Sequence, residues 1–158
     1  MRDAAFPEGR LAGVDYGRRR IGVAVCDSRR ILSSPLCVRE ATRDPEAEAA
    51  YFRRLAADEE LVGFVVGLPV HSDGRASDMS REVERFGAWL GRVTGLPVAF
   101  HDERGTSREA AGLLAGTGLS RGRKKERSDA VAAQVILASW LDREAAGGAA
   151  DAPGGPGA

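Results

Sequence analysis

Two apolar runs flank a tight basic turn near the start of this chain, and they limit what it can fold into more than any other stretch. The runs are Leu11-Ala12-Gly13-Val14-Asp15-Tyr16-Gly17 and Ile21-Gly22-Val23-Ala24-Val25-Cys26, with Arg18-Arg19-Arg20 between them. They read as two short strands of a hairpin. Side chains alternate along a strand, so Val14 and Tyr16 share one face while Gly13, Asp15 and Gly17 share the other. Asp15 is thus a carboxylate between two residues that have no side chain. Glycine inside a strand costs stability and marks the close approach of a ligand or of another backbone. A carboxylate on such a bare face suits a hard cation or a phosphate carried by one. The plainer alternative is a hairpin turn in which Asp15 bonds local backbone.

A third strand, Ile31 to Val38, follows the turn Asp27-Ser28-Arg29-Arg30, and Pro35 marks it as an edge because it has no backbone donor. Asp44-Pro45-Glu46 then has the pattern of a helix start: an N-cap, a proline at the first position and acids in the first turn. Leu61 to Gly67 is apolar throughout, as in a strand covered on both faces. Met79, Val83, Phe86, Leu90 and Val93 recur at helical spacing up to Gly95, and Pro97 to His101 reads as a fifth strand. Thr106-Ser107-Arg108-Glu109 resembles a capping box opening a short helix. Arg121 to Arg127 reads as a basic linker, and Asp129 to Asp142 as the last helix. These elements predict an α/β fold with one five-stranded mixed sheet in the order 3-2-1-4-5 and helices on both faces. The expected organisation is an N-terminal tail over 1–9, one folded domain over 10–142, and an Ala/Gly/Pro tail over 143–158 too poor in apolar residues to join a core.

Composition excludes several classes. No apolar run approaches the ~20 residues of a membrane span, and the N-terminus has neither the charge pattern nor the apolar segment of a secretory signal. The two cysteines, Cys26 and Cys37, lack metal-ligand spacing, and only two histidines are present. A zinc site is therefore not expected, and a reducing, cytoplasmic setting is. The 23 basic and 23 acidic residues cancel in sum but are segregated: acids crowd Asp44 to Glu60, bases crowd Arg18 to Arg20 and Arg121 to Arg127. Such clusters suit a polyanion, or are simply solvated faces.

Three acids stand where this topology can bring them together: Asp15 on the first strand, Glu103 after the fifth, and Asp129 at the start of the last helix. Converging carboxylates repel unless cations neutralise them. Magnesium favours such oxygen ligands, and two ions roughly 4 Å apart activate a water and stabilise the leaving oxygen of a phosphodiester. Taken singly, Asp129 also suits the helix dipole and Glu103 a solvated surface.

The ordered set Gly13-Val14-Asp15-Tyr16-Gly17 with Arg20-Ile21-Gly22-Val23-Ala24, Val66-Gly67-Leu68-Pro69 with Gly74, Asp102-Glu103-Arg104 with Thr106-Ser107, and Ser128-Asp129-Ala130-Val131-Ala132-Ala133 with Ile136-Leu137 resembles the YqgF/RuvX family of the ribonuclease H-like superfamily. The resemblance runs from about Arg10 to Asp142. It implies a metal-dependent nuclease that takes part in maturation of pre-16S rRNA or in resolution of Holliday junctions. It also implies that Asp15, Glu103 and Asp129 are catalytic metal ligands for Mg2+, with Mn2+ as a substitute. Asp102 and Glu103 point to opposite faces of an extended segment, so one of them is expected to face the metal, and Glu103 is the choice. Gly105 departs from the family, which usually has a larger apolar residue there.

Arg20 and Arg104 accompany the acids, either as phosphate contacts or as salt-bridge partners of the carboxylates. Lys124 and Lys125, about a turn before Asp129, are expected on the nucleic-acid backbone. The loop from Leu68 to Gly74 is a candidate for shaping substrate entry, while His71 and His101 are read first as structural and second as proton shuttles. Aromatic residues for stacking are scarce, so recognition is expected to rest on backbone charge and shape. The expected partner is nucleic acid (structured RNA of a small-subunit ribosomal precursor, or branched DNA), with no membrane, and the protein is expected as a monomer or homodimer. The rival readings are a junction resolvase, a non-catalytic nucleic-acid-binding scaffold, and an actin-like or sugar-kinase-like ATPase. The last is disfavoured because the chain has room for one lobe only.

Overall fold

The computed structural model describes residues 6–69, 78–102 and 121–154, with side chains in the last segment over 129–145. Five strands, β1 (Arg10–Asp15), β2 (Arg20–Cys26), β3 (Ser33–Glu40), β4 (Leu61–Leu68) and β5 (Val98–Asp102), form one sheet in the order β3-β2-β1-β4-β5. The first three are antiparallel neighbours, and β4 pairs parallel with both β1 and β5. The order 3-2-1-4-5 expected from the sequence is therefore the one observed. Helices α1 (Pro45–Asp58) and α2 (Asp78–Thr94) cover one face, and α3 (Arg121–Gly154) covers the other.

Local chemistry explains most boundaries. The Asp44 carboxylate accepts from the Glu46 N–H, with Pro45 at the first helical position, which caps α1 as its sequence predicts. Gly95 ends α2 at φ +73°, a conformation that a Cβ disfavours. Two boundaries differ from expectation. β3 starts at Ser33, and Ile31 and Leu32, counted into that strand by their hydrophobicity, stand outside it and exposed. The Asp27 carboxylate accepts from the N–H groups of both residues and closes a turn that holds them off the sheet. The ladder then slips between Val23 and Ala24, so the Pro35 region pairs with a bulge, as an edge strand tolerates. The second difference is α3. It starts at Arg121, inside the stretch read as a basic linker, and continues through Gly154 across the stretch read as an unfolded tail. That stretch combines alanines at 145, 146, 149, 150 and 152, which favour helix, with Gly147, Gly148 and Pro153, which disfavour it. The expected helix over 106–118 lies outside the described residues.

The two faces carry separate cores. Phe52 of α1, Val83 and Leu90 of α2, and Val14, Phe64 and Val66 of the central strands are buried together. On the opposite face, Leu11, Val65 and Ala99 pack under Ile136, Leu137 and Trp140 of α3. Cys26 is buried, Cys37 is half-buried, and both are free.

Candidate active site

The alternation expected along β1 is observed: Val14 and Tyr16 join the α1/α2 core, and Gly13 faces α3. A Cβ at Gly13 would stand 2.7 Å from the Ala133 carbonyl oxygen. One at Gly22 would overlap the Asp129 carbonyl oxygen and stand 2.7 Å from its carbon. The bare patch on the sheet is therefore filled by another backbone: the two glycines let α3 lie directly on β1 and β2.

This contact builds the site. Asp15 pairs with Gly22 across the β1–β2 ladder, and directly paired residues share a face about 5 Å apart. The backbone of Asp129 sits on that same Gly22. Asp15, at the carboxyl end of β1, and Asp129 are thereby brought to one place on the α3 face. Both are partly exposed, the Asp129 side chain by 28%. Arg20 at the start of β2 donates from Nε to Asp129 Oδ2 at 2.8 Å. Of the two roles open to Arg20, the carboxylate partner is the one seen.

The remaining candidates divide. Asp102 ends β5 opposite Leu68. It alternates in step with Phe100, whose ring lies against Gly87 of α2, so Asp102 belongs to the α1/α2 face and not to that of Asp15. Glu103 and Arg104 lie outside the described residues, as do His71, Gly74, Gly105, Thr106 and Ser107; Lys124 and Lys125 lie on the α3 backbone, with their side chains outside the description. His101 is buried, with Nδ1 lacking a partner. Burial, then the charge of Arg143, pushes its pKa down against the opposing pull of Asp102. Among the described residues, no three His, Cys, Asp or Glu side chains cluster as metal ligands. Asp15 and Asp129 supply carboxylate oxygens from two elements, the donor type that hard divalent cations take.

Sequence reasoning missed a polar network on the other side of β1. The Tyr16 hydroxyl donates to Glu82 Oε2 at 2.7 Å, and Arg18 Nε donates to Glu82 Oε1 at 2.8 Å. Burial, reinforced by the Glu82 carboxylate, pushes the Tyr16 phenol up to about 12, and the two donors hold Glu82 below its usual value. Glu82 lies at helical spacing from Met79 and Phe86, beside the apolar stripe of α2, so the signal that could have found it is a carboxylate at the edge of an apolar face.

A five-stranded mixed sheet of this order with helices on both faces is a ribonuclease H-like fold. Solved structures with that fold include the yeast mitochondrial Holliday junction resolvase Ydc2, with TM-score 0.52 at 12% identity over 90% of this chain and 81% of that one. Thermus thermophilus RuvC in complex with a Holliday junction substrate has TM-score 0.50 at 15% identity, covering 84% and 96%. The chain belongs to the RuvX family, whose model, described as Holliday junction resolvase, matches residues 9–143. It is 50% identical over 138 residues to a protein of Rhodopirellula baltica named "Putative pre-16S rRNA nuclease", covering 87% of this chain and 79% of that one. A protein of the same name from Dechloromonas aromatica is 39% identical, covering 85% and 91%.

Proposed function

We propose that this protein is a divalent-metal-dependent endonuclease that hydrolyses phosphodiester bonds in the precursor of 16S rRNA, in the cytoplasm. The observation that carries the reading is that Asp15 pairs with Gly22 across the ladder while the Asp129 backbone packs on that same Gly22. Two carboxylate residues set on one face from separate elements, with Arg20 beside Asp129, are the donor type a hard divalent cation takes. Glu103, which lies outside the described residues, is the expected third ligand, because Asp102 falls on the α1/α2 face. Magnesium is the expected ion, because two or three carboxylates leave room in its shell for waters and phosphate oxygens. When bound, it supplies an activated water and stabilisation of the leaving oxygen.

The chain's own residues do the rest. Asp15 and Asp129 fix the position of the reacting phosphate relative to the sheet. Arg20 holds the Asp129 carboxylate in orientation, and its guanidinium would add positive charge beside a phosphate bound there. Arg104, Lys124 and Lys125 add positive charge for the phosphates. The names of the curated relatives favour a ribosomal precursor, and that of the family model favours a DNA junction. Cleavage of a precursor 16S rRNA fragment and of a four-way DNA junction, each with magnesium and with chelator, separates the two. The proposal expects magnesium-dependent cleavage of the RNA at the higher rate. Preferred cleavage of the junction by a dimer would replace it with the resolvase reading.

A further inference from the structure

The chain is poor in aromatic residues, but those it has are concentrated. Tyr16, Phe86 and Trp89 form a continuous set, with ring centroids 4.6 Å apart for Tyr16 and Phe86 and 5.8 Å for Phe86 and Trp89. Together with Ile21, Arg43 and Glu48 they line an open pocket of about 220 Å³. That is smaller than the roughly 300–1,000 Å³ of a drug-sized ligand site and suits one planar ring system. The pocket lies on the α1/α2 side of β1, on the opposite face from Asp15, yet Tyr16 is the very next residue.

A second, more polar hollow of about 290 Å³ adjoins it, lined by Arg18, Arg19, Arg20, Glu40 and Ala41, and Arg18 and Ala41 belong to both. The β1–β2 turn therefore carries a path of positive charge from Arg20, beside Asp129, to the mouth of the aromatic pocket. Arg18 is ion-paired to Glu82 there, while Arg19 and Arg43 are exposed. On the pocket wall, Glu48 Oε2 accepts from Arg39 and from the Thr42 N–H, whereas Oε1 is buried without a partner.

We infer that this pocket is a subsite for one unpaired RNA base, displaced from a strand whose backbone crosses the Arg18–Arg20 turn on its way to the carboxylates. The inference rests on the nuclease reading and adds a substrate feature to it: a single-stranded nucleotide close to the scissile bond. Aromatic faces hold a base irrespective of sequence, and the arginines hold its phosphates.

The test uses a short single-stranded oligoribonucleotide with a central 5-iodocytidine. Trp140→Phe leaves Trp89 as the single tryptophan of the chain. The inference expects Trp89 emission to be quenched on binding and photocrosslinks to form at Tyr16, Phe86 or Trp89. Trp89→Leu, checked for folding by its melting curve, is expected to weaken binding roughly ten- to a hundredfold, the worth of a stacked base. An abasic site at the central position is expected to weaken the parent protein to the same degree and to have no further effect on Trp89→Leu. The exposed Arg43→Ala variant, which carries no core contact to lose, is expected to weaken binding in the same direction. Cleavage of precursor rRNA without quenching, and with crosslinks confined to the α3 face, would overturn the subsite and leave the nuclease reading standing. Failure to bind the oligoribonucleotide would likewise overturn the subsite alone, whereas absence of magnesium-dependent cleavage of precursor rRNA would overturn both.

Discussion

At the scale of single residues, Arg20 and His101 make separable predictions. The Arg20–Asp129 pair is about one-third exposed at each end, and such pairs contribute about 0–1 kcal/mol. Arg20→Gln is thus expected to shift the melting temperature by no more than ~4 °C while lowering the cleavage rate, measured on the same preparation. A large loss of stability with unchanged cleavage would make Arg20 a purely structural residue. His101 is different because burial pushes its pKa below the ordinary 6.5. As pH falls through 6.5, the unfolded chain takes up a proton that the folded chain refuses, so stability is lost toward acid. The melting temperature of His101→Gln is expected to fall less than that of the parent between about pH 7.5 and pH 5.5. Equal slopes would show that His101 titrates normally in the folded protein. His101 was visible in the sequence only as one of two histidines. Its burial under α3 comes from the register of β5 against β4, which no local pattern specifies.

At the scale of elements, the seat of α3 on the β1–β2 hairpin positions the site. Asp15 and its flanking glycines stood out in the sequence because glycine in a strand needs a reason. What the glycines face was not legible, because either a ligand or a backbone satisfies the same pattern; here Gly13 meets the Ala133 backbone and Gly17 the Arg20 carbonyl of its own turn, while the Asp129 backbone sits on Gly22 of the paired strand. The same limit explains Glu82, whose partners Tyr16 and Arg18 come from a distant part of the chain. The start of β3 was misread for another reason: Ile31 and Leu32 are hydrophobic enough for a strand, but the Asp27 turn takes their N–H groups. Gly22→Ala tests the α3 contact. Its Cβ would meet Asp129 backbone, not a side chain that can swing aside, so an overpacking cost of about 1–3 kcal/mol is expected. That corresponds to a fall of roughly 3–10 °C in melting temperature, with cleavage lost beyond what stability explains because Asp129 has moved. Full activity in Gly22→Ala would mean that the position of Asp129 does not matter.

At the scale of the whole molecule, one sheet separates two working faces, with the carboxylates on the α3 side and an aromatic, arginine-rimmed pocket on the other. The order of the strands was readable from connection lengths and handedness alone, since a meander followed by two crossovers has few arrangements. Metal binding to the folded state should raise its melting temperature in proportion to the logarithm of metal concentration above Kd. Magnesium is expected to do so in the parent protein, and removal of the metal with a chelator to reverse it. The most direct test of the central claim is the rate of precursor 16S rRNA cleavage in magnesium by the parent and by Asp15→Asn, whose side chain has nearly the same shape but no charge. The account predicts a loss greater than the roughly 10- to 100-fold that changes outside a metal's own ligands cost, with the fold intact and the magnesium-dependent rise in melting temperature gone. Cleavage by Asp15→Asn at the parent rate would contradict it.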